Sequence, residues 1–171
     1  MKKHNGMRPL DIVVLLKITI QGKKDWQFTD LSRELYISQS EISESLNRSS
    51  IARLISPDRR KVLKNSFLEF LIYGLKYVFP VRPGSMARGI PTAHSAKPLS
   101  DVFKSNTDLF VWEYDEGSVR GQSIQPLYPK AIKAAKDDSV LYELLALADA
   151  IRVGSTREFS AAVKELKKRI K

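Results

Sequence analysis

Apolar residues recur along the first half of the chain in blocks with helical spacing, separated by short polar punctuation. Pro9 suits a first helical turn, and Ile12, Val13, Leu15, Leu16, Ile18 and Ile20 follow before Gly22. That run is too apolar for a narrow stripe, so it predicts a helix buried on most sides. Thr29 is a good N-cap for a short helix over 30–35, with Leu31 and Leu35 on one face. Ser38 and Glu41 have capping-box spacing, each side chain serving a backbone N–H of the other, which opens a helix from Gln39 to about Leu54. Ser56-Pro57-Asp58 reads as another helix start, with Ser at the cap and Pro at the first helical position. Leu63, Phe67, Leu68, Phe70, Leu71, Ile72 and Leu75 carry that helix to Pro80.

The pattern changes after Pro80. Pro83, Gly84, Gly89, Pro91 and Pro98 break regular structure and predict an extended loop over 80–98. Residues 109–114 alternate, with Phe110, Trp112 and Tyr114 on one face. Asp115-Glu116-Gly117 reads as a turn and Ser118 to Ile124 as the return strand, which predicts a β-hairpin. Aromatics at this spacing read first as core or interface, with base stacking as the alternative. A short helix near 130–136 follows, then one capped by Asp138 and running to about Val153, with leucines at 141, 144, 145 and 147. Ser155 and Glu158 form a second capping box and open the last helix. The predicted fold class is α+β, mainly α. It has a helix-turn-helix unit over 1–79, the loop over 80–98, and a β-hairpin plus helices over 99–171 for dimerisation or partner binding.

Charge sharpens this picture. The net charge is +10, and residues 1–98 hold 17 Lys and Arg against 8 Asp and Glu, whereas residues 99–171 hold 12 against 11. Nearly all the excess therefore lies in the first part, where a phosphate-bearing partner would be drawn.

The segment from Phe28 to Ser49 carries the most information. Leu31 and Leu35 lie on the first helix, a tight turn passes through Tyr36-Ile37-Ser38, and Ile42 and Leu46 point the second helix inward. Gln39, Ser40, Ser43, Asn47 and Arg48 are then left on its outer side. Apolar residues that dock a helix and short polar groups that reach base edges are what a recognition helix needs. Gln and Asn suit adenine, and Ser is an adaptable contact. Arg53, Arg59, Arg60, Lys61 and Lys64 are candidate phosphate contacts, which position a protein without specifying sequence. Arg82 and Arg88, with Lys97, form a candidate minor-groove arm. The competing reading is a loop that packs on the protein through Met86, Ile90 and Leu99, and it is favoured. Glu41 and Glu44 on the reading helix oppose phosphate, although Glu41 is engaged if it serves as a cap.

Ile37-Ser38-Gln39-Ser40-Glu41-Ile42-Ser43 resembles the "LS-x-S-x-[IV]-S" opening of the recognition helix in bacterial transcriptional regulators of the MarR-like and related winged-helix groups. The resemblance covers about residues 9–55. It implies a sequence-specific double-stranded DNA-binding regulator that acts as a homodimer on paired half-sites. A winged helix places a hairpin directly after the recognition helix, whereas Ser56-Pro57 reads here as a helix start, so the wing is expected to be missing. The "GIPTAHS" loop and the "LYELLALADAIRVGSTREFSAAV" tail look like those of small bacterial regulators, some with toxin-like neighbours. That implies an alternative function: an antitoxin or adaptor that binds a partner protein through its C-terminal part.

Other chemistry is sparse. Without cysteine there is no disulfide, thiolate metal site or cysteine nucleophile. Only His4 and His94 are histidines, and His94 reads as a surface loop residue. No nucleotide, hydrolase or metalloprotease motif is present, so neither an enzyme nor a cofactor or metal is expected. The run from Phe67 to Phe79 is too short to span a bilayer and contains Glu69 and Lys76. No signal peptide is visible, so a cytoplasmic protein is expected.

Overall fold

Helices form where the apolar spacing puts them, but the strands pair differently from the predicted hairpin. The structure is a computed structural model that describes residues 6–22, 25–104 and 108–171. His4 lies outside the described residues. The class is α+β, mainly α, with a small three-stranded sheet.

The chain divides into two compact units, residues 1–67 with 127–141 and residues 68–126 with 142–171. These replace the expected division at 79 and 98. The reason lies in α6 (Ala131–Asp137), which returns to pack against α2 (Phe28–Leu35).

The first unit is built on α1 (Pro9–Gln21), which is buried from Leu10 to Ile18. The helix therefore sits inside the unit, as its all-round apolar run requires. Helices α2 and α3 (Gln39–Ile51) pack on it and on each other. Tyr36 joins them in a left-handed conformation, φ 57°, which closes the turn. The Ser38–Glu41 capping box forms, with the Glu41 N–H donating to Ser38 Oγ at 3.2 Å. α3 ends three residues earlier than predicted. There Arg53 turns left-handed, φ 59°, and the Leu54 N–H returns to Ser49 O at 2.9 Å. That is the backbone closure expected when a helix stops and the chain reverses.

Ser56-Pro57 does not start a helix. The Arg59 N–H donates to Ser56 O at 2.7 Å, which makes a β-turn with Pro57 at its second position. Ile55 and Val62 then pair antiparallel, flanked by Ser56 N–H to Lys61 O at 2.8 Å and Leu63 N–H to Leu54 O at 2.9 Å. A short hairpin therefore follows α3 directly, contrary to the expectation that it would be absent. Pro57 fits either context because its fixed φ suits both a helix start and the second position of a turn. Pairing of Ile55, which is 1% exposed, with Val62 fixes the turn. Helix α4 (Lys64–Glu69) begins only after the hairpin and continues through a π-helical stretch (Phe70–Gly74) into α5 (Leu75–Val78).

In the second unit β1 (Met86–Pro91) lies inside the segment predicted to be a loop. It pairs antiparallel with β2 (Phe110–Glu113), for example Ile90 opposite Trp112, and with β3 (Val119–Ser123), for example Arg88 opposite Arg120. β2 and β3 run parallel and pair at Phe110–Gln122 and Val111–Ser123, closing a small barrel. The expected hairpin of β2 with β3 is thus replaced. The link between them crosses β1 at Gly89, where a Cβ on Gly117 would lie 2.3 Å from Gly89 O. Only two glycines allow the backbones so close, and the two strands then emerge on opposite halves of β1.

Helix α7 (Ser139–Val153) supplies the core of this unit. Leu144, Leu145, Leu147, Ala148 and Ile151 are each 2% exposed or less, so the leucine face is covered within the chain and is not an open partner surface. On the same helix Asp149 is buried and collects Thr92 Oγ1 and Trp112 Nε1, both at 2.7 Å, and Arg152 Nη1 at 2.9 Å. Burial pushes its carboxyl above the usual range, against the pull of Arg152. Trp112 is therefore a core residue with its N–H satisfied. His94 is also buried, not on the surface. Its Nε2 lies 2.8 Å from Asp108 O and its ring meets Phe110 edge-on. α8 (Thr156–Arg169) opens with the predicted Ser155–Glu158 capping box.

Candidate nucleic-acid interface

Helix α3 is held by a buried ion pair. Asp11 in the first turn of α1 is 0% exposed and accepts from Arg48 Nε at 2.9 Å and Arg48 Nη2 at 2.7 Å. A third bond comes from the Arg8 N–H at 2.8 Å, so the same carboxylate caps α1. The sequence pattern puts Arg48 among the base-reading residues, and the structure corrects this. It is 6% exposed, and its charge is held by Asp11. Sequence spacing placed it one step outside the apolar face, yet a long side chain can turn inward when a carboxylate awaits it.

With Arg48 removed, the outer stripe of α3 consists of Gln39, Ser40, Ser43, Glu44, Asn47 and Ile51. Gln39 and Ser40 are exposed, and Ser43 and Asn47 are half-buried. Ile42 and Leu46 are fully buried, as the helical spacing predicted. Glu41 is engaged at the cap through Ser38 Oγ at 3.2 Å. Ser45 and Ser49 also face inward.

The hairpin extends this surface. Arg59 occupies a left-handed position in its turn, φ 59°, and donates from Nη2 to Asn47 Oδ1 at 3.3 Å. That bond ties the hairpin turn to the reading stripe of α3. Asp58 accepts from Ser56 Oγ and from the Arg60 N–H at 3.2 Å, and those bonds hold its carboxyl below the usual range. Lys61 is exposed, and so is Arg53 at the end of α3. Arg60 departs from the expectation of a free phosphate contact. Its guanidinium stacks over Trp26 at 4.3 Å, and Nη2 donates to Trp26 O at 2.8 Å. Lys64 stands at the start of α4, beyond the hairpin.

Arg82 and Arg88 belong to the other compact unit. Arg82 is exposed on the irregular segment before β1, and Arg88 is fixed in β1 as a paired strand residue. The segment is therefore not a free arm. The packing alternative holds at Leu99, which is buried, but Met86 is 58% exposed. Among the described residues, no cluster of His, Asp and Glu could hold a metal ion, and no helix is long and apolar enough to cross a membrane.

Sequence reasoning missed the hairpin, the Asp11–Arg48 pair and the Arg60–Trp26 contact. The hairpin had a local signal, since Ser-Pro-Asp is also a turn sequence. The two side-chain contacts join residues more than thirty positions apart and leave no local trace. No family profile, curated protein or solved structure matches the chain.

Proposed function

We propose that this protein is a sequence-specific double-stranded DNA-binding regulator. In this reading α3 enters the major groove and the 54–63 hairpin grips the adjacent backbone. The observation that carries the reading is the bond from Arg59 on the hairpin turn to Asn47 on the outer stripe of α3. It supports one surface on which short polar side chains sit beside cations. Gln39, Ser40 and Ser43 read base edges, with Asn47 shared between a base and Arg59. Arg53, Arg59 and Lys61 meet phosphates. Arg48 and Arg60 support the surface from behind.

The test is selection of bound duplexes from a random pool, followed by fluorescence-anisotropy titration over a salt series. Gln39→Ala is expected to cost about 1–3 kcal/mol and to relax selectivity at one base position. Lys61→Gln is expected to weaken all sequences alike and to lower the salt slope by about one unit. Equal affinity of wild type and both variants for the selected duplex would overturn the proposal.

A second reading rests on a different observation. Tyr73 and Tyr77, one helical turn apart in the second unit, are 71% and 72% exposed, and neighbouring Val78 is 50% exposed. Aromatic residues left open in this way fit a homodimer or protein-partner surface. The antitoxin or adaptor function would use that surface rather than the leucines of α7. Sedimentation of Tyr73→Asp/Tyr77→Asp tests self-association: a monomeric wild type removes the homodimer.

A further inference from the structure

Gln39, Ser43 and Asn47 stand four residues apart on α3 and so lie in one row along its outer side. The two amides at the ends of that row are held differently. Gln39 is exposed at the first position of the helix, and its side chain has no hydrogen bond among the described residues. Asn47 is half-buried, and its Oδ1 accepts from Arg59 Nη2 at 3.3 Å. The sense of that bond admits one assignment. A guanidinium only donates, so it must meet the amide oxygen and not the amide nitrogen. Arg59 is itself half-buried and set by the hairpin turn, where its backbone is left-handed, φ 59°.

The tether leaves Asn47 one group to offer. Its Nδ2 has no hydrogen bond among the described residues. Nδ2 is also open to solvent, since the polar side-chain atoms buried without a partner there belong to Gln21, Ser45, Ser49 and His94. The second lone pair of Oδ1 lies beside the guanidinium charge, which repels the positively polarised hydrogens of a base amino group. Nη1 and Nε of Arg59 are left for a phosphate oxygen. The group presented by Asn47 is therefore a donor.

Major-groove edges differ in how they meet a donor. Guanine offers two adjacent acceptors, N7 and O6. Adenine sets an N6 amino group beside N7, thymine sets a methyl beside O4, and cytosine offers only an amino group. The bidentate contact of asparagine with adenine needs the amide oxygen as well as the nitrogen, and here the oxygen is engaged.

We propose that Asn47, oriented by Arg59, selects guanine, whereas the untethered Gln39 keeps the adenine preference of a free amide. Arg59 is a positioning residue for this contact as well as a phosphate contact. The inference rests on the DNA-binding reading and adds the base that one position of α3 takes. From Gln39 to Asn47 the row is roughly 12 Å long, at about 1.5 Å per residue. That exceeds three base-pair steps of about 3.4 Å, so the two amides meet different base pairs.

The test is selection of duplexes from a random pool by the full chain and its variants, then anisotropy titration of duplexes that differ at one base pair. Asn47→Ala locates the position, as the one where selectivity is lost. There the wild type is expected to enrich guanine and to bind the guanine duplex about fivefold or more tighter than the adenine duplex. Arg59→Met removes the donors and keeps the side-chain stem. It is expected to move that position from guanine to adenine and to leave the Gln39 position unchanged. Lost stability or a lost phosphate contact would instead weaken all sequences without changing the preferred base. Asn47→Asp keeps an acceptor for Arg59 and makes the free atom an acceptor too, so it is expected to select cytosine. If Arg59→Met does not fold, Asn47→Asp decides. Adenine at this position in the wild type, guanine retained by either variant, or no base dependent on Asn47 overturns the inference and leaves the DNA reading standing. Enrichment of no duplex at all removes both.

Discussion

Replacing Arg48 by Ala separates a structural role from a base-reading one. In the folded chain Asp11 is fully buried, and among the described residues it has three donors: two from the Arg48 guanidinium and one from the Arg8 N–H. The truncation removes both guanidinium bonds and leaves the buried carboxylate, among the described residues, with the Arg8 N–H. Breaking one side of a buried ion pair costs about 3–5 kcal/mol, because the remaining charge keeps its desolvation penalty and loses its compensation. Total stabilities of about 5–15 kcal/mol make that a large fraction. At about 2–4 °C per kcal/mol for a chain of this size, the midpoint is expected to fall by roughly 6–20 °C. Thermal unfolding followed by circular dichroism and tryptophan emission measures it, with Trp26 reporting from the first unit. The double variant Asp11→Leu/Arg48→Met, which removes both charges, is expected to recover most of the loss. DNA affinity of Arg48→Ala, measured well below its melting point, is expected to stay near wild type. Unchanged melting with a selective loss of DNA affinity would refute this reasoning and return Arg48 to the base-reading set.

Gly117→Ala forces a methyl against Gly89 O at 2.3 Å, so it is expected to destabilise the second unit by about 1–3 kcal/mol or more, read as a lower urea midpoint. Lys17 Nζ lies 2.7 Å from both Glu34 and Asp138. Burial works against its charge, but the two carboxylates raise its pKa. Burial likewise opposes the Asp138 carboxylate, yet Lys17 and the N–H groups of Val140 and Leu141 hold its pKa down. The Asp138 contribution is present above its unfolded value of about 3.9 and is lost as pH falls through the lower folded value. The Lys17 contribution is present below about 10.4 and is lost as pH rises through the higher folded value. Stability from this cluster is expected to be flat between about pH 5 and 10 and to fall on both sides, and Lys17→Met is expected to flatten both limbs. Identical limbs in urea midpoints of wild type and Lys17→Met would contradict it.

Local chemistry made much of the fold legible. The apolar run of α1, the inward pair Ile42 and Leu46, the capping boxes at Ser38 and Ser155 and the Asp138 cap are decided within a turn or two of chain. The sequence alone could therefore place the helices and propose a recognition stripe on α3. Tertiary structure decided what those helices do with their long and charged side chains. Arg48 and Arg60 look alike in sequence to Arg53 and Arg59, but Asp11 and the Trp26 face draw the first two inward. It also decided strand pairing. Segments 110–113 and 119–123 have the composition of a hairpin, yet β1, predicted to be loop, takes an edge of each. Strand partners and buried ion pairs are chosen by groups distant along the chain, whose mutual approach no periodicity records. Ser56-Pro57-Asp58 lies between the two cases: its residues suit a helix start and a turn alike, and the pairing of Ile55 with Val62 makes it a turn.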